Sequence, residues 1–351
     1  MITEMTRDNP PANAPDGTGF VLEVDNLAVT FHGEEGALTV VDGVSFRVRP
    51  GKTLSVVGES GSGKSVTSLA VMGLLKFIGA SVTARSLKLR DRNGEIIDLL
   101  SVSARRLRRL RGYEMAMIFQ EPMTSLNPSH TVGQQIAEVL RIHKGMDKRQ
   151  GHAAAIEMLE RVGIPDAGRR VDAYPHEMSG GMRQRVMIAI ALACSPSLMI
   201  ADEPTTALDV TIQAQILEEL KRLQDQFGMA MLFITHDLGV VAEIAHDVAV
   251  MYAGQVVEEG SVIEVLKHPR HPYTRGLLDS VPRPDRDREG KLRAIPGRVP
   301  DIRDLPKGCR FTPRCPYAEI GRCDVQVPEL EVTEGQHRVR CVRWRELDLT
   351  P

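Results

Sequence analysis

The stretch Gly58-Glu59-Ser60-Gly61-Ser62-Gly63-Lys64-Ser65 fits the pattern G-x-x-x-x-G-K-[ST], and its flanks decide what that pattern means. Ahead of it stands the apolar run Leu54-Ser55-Val56-Val57, and residues 65–75 behind it read as a helix. Strand, glycine loop and helix in that order form a phosphate-binding loop. The glycines let backbone N–H groups curl around phosphate oxygens, with Ser60 in the same cradle, and the helix N-terminus adds partial positive charge. Lys64 is expected to reach the β- and γ-phosphates, and Ser65 to hold Mg²⁺.

A second stretch, Leu198-Met199-Ile200-Ala201-Asp202-Glu203, puts two carboxylates at the end of an apolar strand. Ligands of open α/β sheets sit at that end. Asp202 is expected to hold the magnesium, and Glu203 to polarise an attacking water as general base.

Further short apolar runs, Met115-Ala116-Met117-Ile118-Phe119, Met231-Leu232-Phe233-Ile234 and Val248-Ala249-Val250-Met251, suit strands buried on both faces of a helix-covered sheet. Residues 210–227 carry Ile212, Ile216, Leu217, Leu220 and Leu223 at helical spacing, and residues 132–162 are helical with no strand candidate. The fold predicted is α/β, with an α-helical subdomain set into the core at about 121–182. Residues 1–19 are polar and read as a flexible tail; 20–268 form the nucleotide-binding domain. Prolines and charges then break the pattern, so 269–351 are a linker and a small extension.

Met178-Ser179-Gly180-Gly181-Met182-Arg183-Gln184-Arg185, with Ser179 placed 23 residues before Asp202, closely resembles the signature of the ATP-binding cassette (ABC) family. Ser179-Gly180-Gly181 opening a helix is a second anion-binding terminus, which implies that each ATP is clamped between two chains. The resemblance assigns Gln120 to magnesium contact and signalling toward a membrane partner. It assigns Ala207-Leu208-Asp209 to the loop crossing the dimer interface, His236 to the γ-phosphate switch, and Phe31 to stacking on adenine. The implied core is a P-loop ABC ATPase.

Residues 119–128, Phe119-Gln120-Glu121-Pro122-Met123-Thr124-Ser125-Leu126-Asn127-Pro128, look like the segment after that glutamine in dipeptide and oligopeptide importers. Residues 124–135 are accordingly expected to touch the permease loops. His271-Pro272-Tyr273-Thr274 and residues 308–316 resemble the C-terminal extension of the same subfamily and its nickel-transporting relatives. Ile295-Pro296-Gly297-Arg298-Val299-Pro300 leans toward the D-type member of a pair of ATPases. The resemblance implies a paralogous ATPase partner, two transmembrane permease subunits and an extracytoplasmic solute-binding protein. It also implies a peripheral position on the cytoplasmic face of a prokaryotic inner membrane. Dipeptides, oligopeptides, nickel chelates and glycosides all remain open as solutes.

Cys309, Cys315, Cys323 and Cys341 bring four thiols into 33 residues of proline-rich chain, too short to build much core. Such a set suits zinc or iron–sulfur ligation, and no close C-x₂₋₄-C pair of the zinc type is present. The resembled extension is associated with an iron–sulfur cluster, so a [4Fe–4S] centre is the expectation, with zinc or unligated or disulfide-bonded cysteines as alternatives.

With 44 Lys and Arg against 46 Asp and Glu, the net charge of −2 argues against nucleic acid as partner. One basic run, residues 105–111, reads as a solvated helix face. The longest apolar run, residues 186–201, is interrupted by Ser195-Pro196-Ser197, short of the roughly 20 residues a spanning helix needs. It reads instead as helix, turn and strand, with Cys194 in the core; no secretory signal and no bilayer span are expected. Rival ABC ATPases that move no solute fit less well. Only 115 residues separate Lys64 from Ser179, without heptads, and one cassette is present.

Overall fold

The computed structural model describes residues 19–34, 36–120, 125–206, 208–281, 294–333 and 335–350. The tail read at 1–19, save its last residue, lies outside them, as do Glu121 to Thr124 of the importer-like segment, Ala207 of the interface loop, and the charged stretch 283–291.

The chain opens with β1 (Leu22–Gly33), β2 (Gly36–Val48), β3 (Thr53–Val57) and helix α1 (Lys64–Val71). Strands β4 (Ala80–Thr83), β5 (Ser86–Arg90) and β6 (Ile96–Asp98), helix α2 (Ala104–Leu110) and β7 (Met115–Ile118) follow. Four helices come next: α3 (Val132–Lys144), α4 (Lys148–Arg161), the short α5 (Ala167–Arg170) and α6 (Gly180–Leu192). Then come β8 (Leu198–Asp202), α7 (Val210–Phe227), β9 (Ala230–Thr235), α8 (Leu238–Ile244), β10 (Asp247–Tyr252) and β11 (Gln255–Ser261). Helices α9 (Val262–Lys267) and α10 (Pro272–Asp279) and two short strands, β12 (Glu331–Val332) and β13 (Arg338–Val339), complete the described α-helices and strands.

Two sheets result. The larger runs β12-β13-β11-β10-β3-β9-β8-β7, parallel from β10 through β7. The smaller is antiparallel, built on β1 with β2, β4, β5 and β6. In the parallel strands alternate residues face different layers. Met199, Ala201, Met231 and Phe233 join the cluster under α3, α4, α6 and α7. Leu198, Ile200, Leu232 and Ile234 join the cluster beneath the antiparallel sheet and α1. Both faces are therefore dry, which is why these strands read as unbroken apolar runs. The helices start where short polar side chains can accept orphan N–H bonds: Thr131 with Gln134 and Asp147 with Gln150 form capping boxes on α3 and α4.

The arginine run behaves as expected at four positions, Arg105, Arg106, Arg108 and Arg109, all exposed on α2. Arg111 departs from it. Its Nε donates to Met72 O at 2.7 Å and its Nη2 to Gly73 O at 2.8 Å, satisfying carbonyls just beyond α1.

A buried carboxylate pins the starts of β7 and β8. Glu114, 3% exposed, accepts from Arg92 Nε at 2.8 Å and from the Ser197 hydroxyl, while its backbone carbonyl accepts from Leu198 N at 3.0 Å. The Arg92 guanidinium also lies 4.1 Å from the centre of the Tyr113 ring. Removing the cation would strand a buried charge. Arg92→Met should therefore lower stability by about 3 kcal/mol, read as a reduced urea midpoint. Arg105→Met, at an exposed position on α2, should leave the midpoint unchanged.

Candidate nucleotide site

The parallel strands deliver their carboxyl ends to one edge of the sheet. Strand β3 runs into Gly58, where an added Cβ would lie 2.1 Å from the carbonyl oxygen of Met251. Only glycine fits that approach. Gly61 and Gly63 take φ of +80° and +98°, and Gly63 caps α1. Ser60 and Gly61 are exposed at the loop's crest. Lys64, 5% exposed, turns its amine back onto the loop, donating to Gly58 O at 2.8 Å and Glu59 O at 3.0 Å. Burial lowers the Lys64 pKa, opposed by Glu203, Asp202 and Glu59. The neighbouring Ser65 Oγ donates to Asp202 Oδ1 at 3.0 Å. Burial raises the Asp202 pKa against the hydrogen bond from Ser65.

Glu203, the first residue after β8, adopts φ +47°. For a residue with a Cβ that conformation costs on the order of 1 kcal/mol, a strain typical of functional turns. Its carboxylate gathers three partners. Oε2 accepts from Gln120 Nε2 at 3.1 Å and Thr206 Oγ1 at 2.9 Å, and Oε1 stands 3.1 Å from His236 Nδ1. Partial burial works to raise the Glu203 pKa, but the hydrogen bonds from His236 and Thr206 prevail and hold it below the ordinary value. The group is thus a carboxylate at neutral pH. Gln120, Glu203 and His236 follow β7, β8 and β9, and meet because those strands end level.

The remaining candidates stand apart from this group. Ser179 caps α6, its Oγ accepting from Met182 N at 3.3 Å, and Gly180 is open, with nothing within 4 Å of an added Cβ. Among the described residues no hydrogen bond joins Ser179, Gly180 or Gly181 to the Lys64–Glu203 cluster. Asp209 caps α7 through Ile212 N at 2.9 Å and is exposed. Phe31 is half-buried on β1, packed against the core beneath the antiparallel sheet.

Three contacts had no counterpart in the sequence reading. Thr206 holds the Glu203 carboxylate, and two groups from the C-terminal region, Tyr273 and Arg314, reach Glu59 of the phosphate loop. The one signal available was the charge of Glu59 itself, a carboxylate inside an anion-binding loop.

Cys309, Cys315, Cys323 and Cys341 are free thiols lining a single cavity of about 20 Å³ together with His271, Pro272 and Phe311. Cys309 N donates to Cys323 O at 2.8 Å, closing the chain on itself. Burial raises the pKa of three of these thiols, Cys309, Cys315 (to about 11) and Cys341 (to about 12), and nearby thiols add to the rise. The thiols share a cavity without forming a ligand cage. Among the described residues no three Cys, His, Asp or Glu side chains stand together as a group able to hold an ion. No described helix is long and apolar enough to cross a membrane.

The ABC transporter family model matches residues 41–206, and the model for the oligopeptide/dipeptide transporter C-terminal region matches 257–323. The oligopeptide transport ATP-binding protein AppD of Bacillus subtilis is 51% identical over 326 residues, covering 93% of this chain and 97% of that protein. The dipeptide transport ATP-binding protein DppD of Escherichia coli is 51% identical over 321 residues, covering 92% and 96%. The dimeric ATP-binding cassette MJ0796, solved in a post-hydrolysis state with ADP and phosphate, aligns with a TM-score of 0.59 at 26% identity, covering 69% of this chain and 98% of that one. With a phosphate-binding loop, a paired carboxylate strand end and relatives matched over nearly their whole length, the chain belongs to the ABC transporter ATPases and carries the C-terminal region of their oligopeptide and dipeptide branch.

Proposed function

We propose that this chain energises the import of peptides or a related small solute, as one of two ATPase subunits bound to a pair of transmembrane permeases. An extracytoplasmic binding protein delivers the solute, and the ATPase pair sits on the cytoplasmic face of the inner membrane. Relatives named for peptide and dipeptide transport support the solute class. The observation that carries the reading is the hydrogen-bonded set of Gln120, Glu203 and His236 beside Lys64, Ser65 and Asp202, with the Ser179 terminus outside it.

In this reading Lys64 and N–H groups of the loop beyond Glu59, whose own N–H is taken up by Tyr273, hold the phosphates of ATP, and Phe31 stacks on adenine. Ser65, Asp202 and Gln120 are oxygen-bearing side chains of the kind that hold magnesium, and the Ser65–Asp202 bond brings two of them within 3.0 Å. Held by these side chains, a magnesium ion would supply neutralisation of phosphate charge. Glu203, kept ionised, accepts a proton from water, His236 donates toward the γ-phosphate, and Gln120 reports the change to the permease. Ser179, Gly180 and Gly181 close on the ATP of the other subunit, with Asp209 at the crossing. The exposed α6 terminus, which no hydrogen bond among the described residues joins to the Lys64–Glu203 cluster, supports that composite arrangement.

Glu203→Gln should keep ATP binding while cutting turnover of the reconstituted transporter by about 10²-fold or more, since it removes the base alone. Turnover near wild type would remove Glu203 from that role. The isolated chain should hydrolyse ATP slowly, and adding a paralogous ATPase with the permeases should raise the rate steeply. A lone chain as active as the assembly would count against shared sites.

The four cysteines are proposed to hold one structural metal centre, a [4Fe–4S] cluster before zinc. Two observations support a guest at that cavity: all four thiols line it, and so does His271, whose buried Nε2 has no hydrogen-bond partner among the described residues. The donor set is all sulfur, which suits iron–sulfur ligation. Anaerobic purification should give brown protein with roughly four irons per chain. Colourless protein with one zinc would replace the cluster by zinc, and metal-free protein with four titratable thiols would remove the site.

A further inference from the structure

Glu59, the second residue of the phosphate loop, is gripped from outside the nucleotide fold. Arg314, in the turn Thr312–Arg314, donates Nη1 to Glu59 Oε2 at 2.7 Å and Nη2 to Oε1 at 3.0 Å, a fork laid on a carboxylate. The guanidinium is buried, and its Nε donates to Pro296 O at 2.9 Å, so it has little freedom to leave. The backbone N–H of Glu59 donates to the hydroxyl of Tyr273 at 2.9 Å. Tyr273 is itself fully buried, its ring 4.6 Å from Tyr252 and 5.3 Å from Phe311. Main chain and side chain of one loop residue are thus both held by the C-terminal region. The same residue offers its carbonyl to the Lys64 amine at 3.0 Å, and its carboxylate acts on Lys64 electrostatically.

We infer that Arg314 is a positioning residue for ATP, acting through Glu59: it cancels a carboxylate built into a loop that must receive a polyanion, and fixes the peptide on which Lys64 rests. This rests on the assignment of the Lys64 loop as the ATP site. An uncancelled charge so close to the phosphates opposes binding more than it opposes the chemistry, because Glu203, His236 and Gln120 do not touch it. The effect therefore falls on KM rather than kcat.

The experiment uses the full transporter assembly with Mg-ATP. Arg314→Gln should raise KM for ATP by about tenfold and leave kcat within about twofold. Adding Glu59→Gln, which removes the charge and keeps the shape, should bring KM back to within about twofold of wild type. A purely structural loss would lower kcat along with raising KM, so a change confined to KM, relieved by Glu59→Gln, marks the positioning role. An unchanged KM in Arg314→Gln, or a raised KM that Glu59→Gln leaves in place, overturns the inference. Should Arg314→Gln fail to fold, Glu59→Gln alone decides. It leaves the guanidinium unopposed beside the loop and should lower KM for ATP, less so at high salt; an unchanged or raised KM overturns the inference. Lys64→Ala separates the two levels. If it spares ATP binding, the site assignment fails; if it abolishes binding while the Arg314 and Glu59 variants behave as wild type, the positioning role alone fails.

Discussion

The parallel register of β3, β9, β8 and β7 is the constraint from which the rest of this molecule follows. Val57 pairs with Thr235, Asp202 with Ile234, and Ile118 with Ala201. Those pairings bring the loop at Gly58, the carboxylates at 202 and 203, Gln120 and His236 to one level. Because side chains alternate along a strand, a slip of one residue would send Leu198 and Ile200 to the face of Met199 and Ala201, and turn Asp202 away from Ser65. At about 1.5–3 kcal/mol for each large apolar side chain buried, the two dry faces hold that register against slippage. The geometry of the candidate site is a by-product of packing.

Much of this was legible because the parallel strands are short and wholly apolar. The runs read at residues 54–57, 198–201, 231–234 and 248–251 each fall inside β3, β8, β9 and β10, which extend them by one to two residues. The run at residues 115–119 ends one residue late against β7. Residues 210–227 match α7 because Asp209 and Gly228 punctuate both ends. The interrupted run at 186–201 resolves into α6, a turn at Ser195 with φ +51°, and β8.

The antiparallel sheet was far less visible. Strands β1 and β2 are long and only partly buried, with register shifts between Val24 and Thr30 that break the alternation a reader looks for. Strands β12 and β13 span two residues each, too few to show any period. Helix α1 ends at Val71, earlier than its apolar spacing suggests, because Gly73 takes φ +64° and Arg111 closes the turn. The candidate site divides the same way. Motif residues lie next to each other in sequence or at strand ends, whereas Thr206, Tyr273 and Arg314 enter through tertiary contacts that leave no local pattern.

Strand β11 joins the core sheet to the C-terminal region. It pairs with β10 on one side and β13 on the other. Its Glu258, fully buried, accepts from the N–H groups of Arg270 at 2.6 Å and His271 at 3.0 Å, and stands 2.8 Å from His337 Nε2. The extension is therefore part of the hydrophobic core, sharing Tyr252 with it, and the Arg310–Asp42 ion pair ties it again to β2. For anyone recombining such subunits, the cassette and its tail are one heritable unit. A crossover between positions 59 and 314 with a parent that lacks this ion pair would leave the Arg314 guanidinium or the Glu59 carboxylate without its partner.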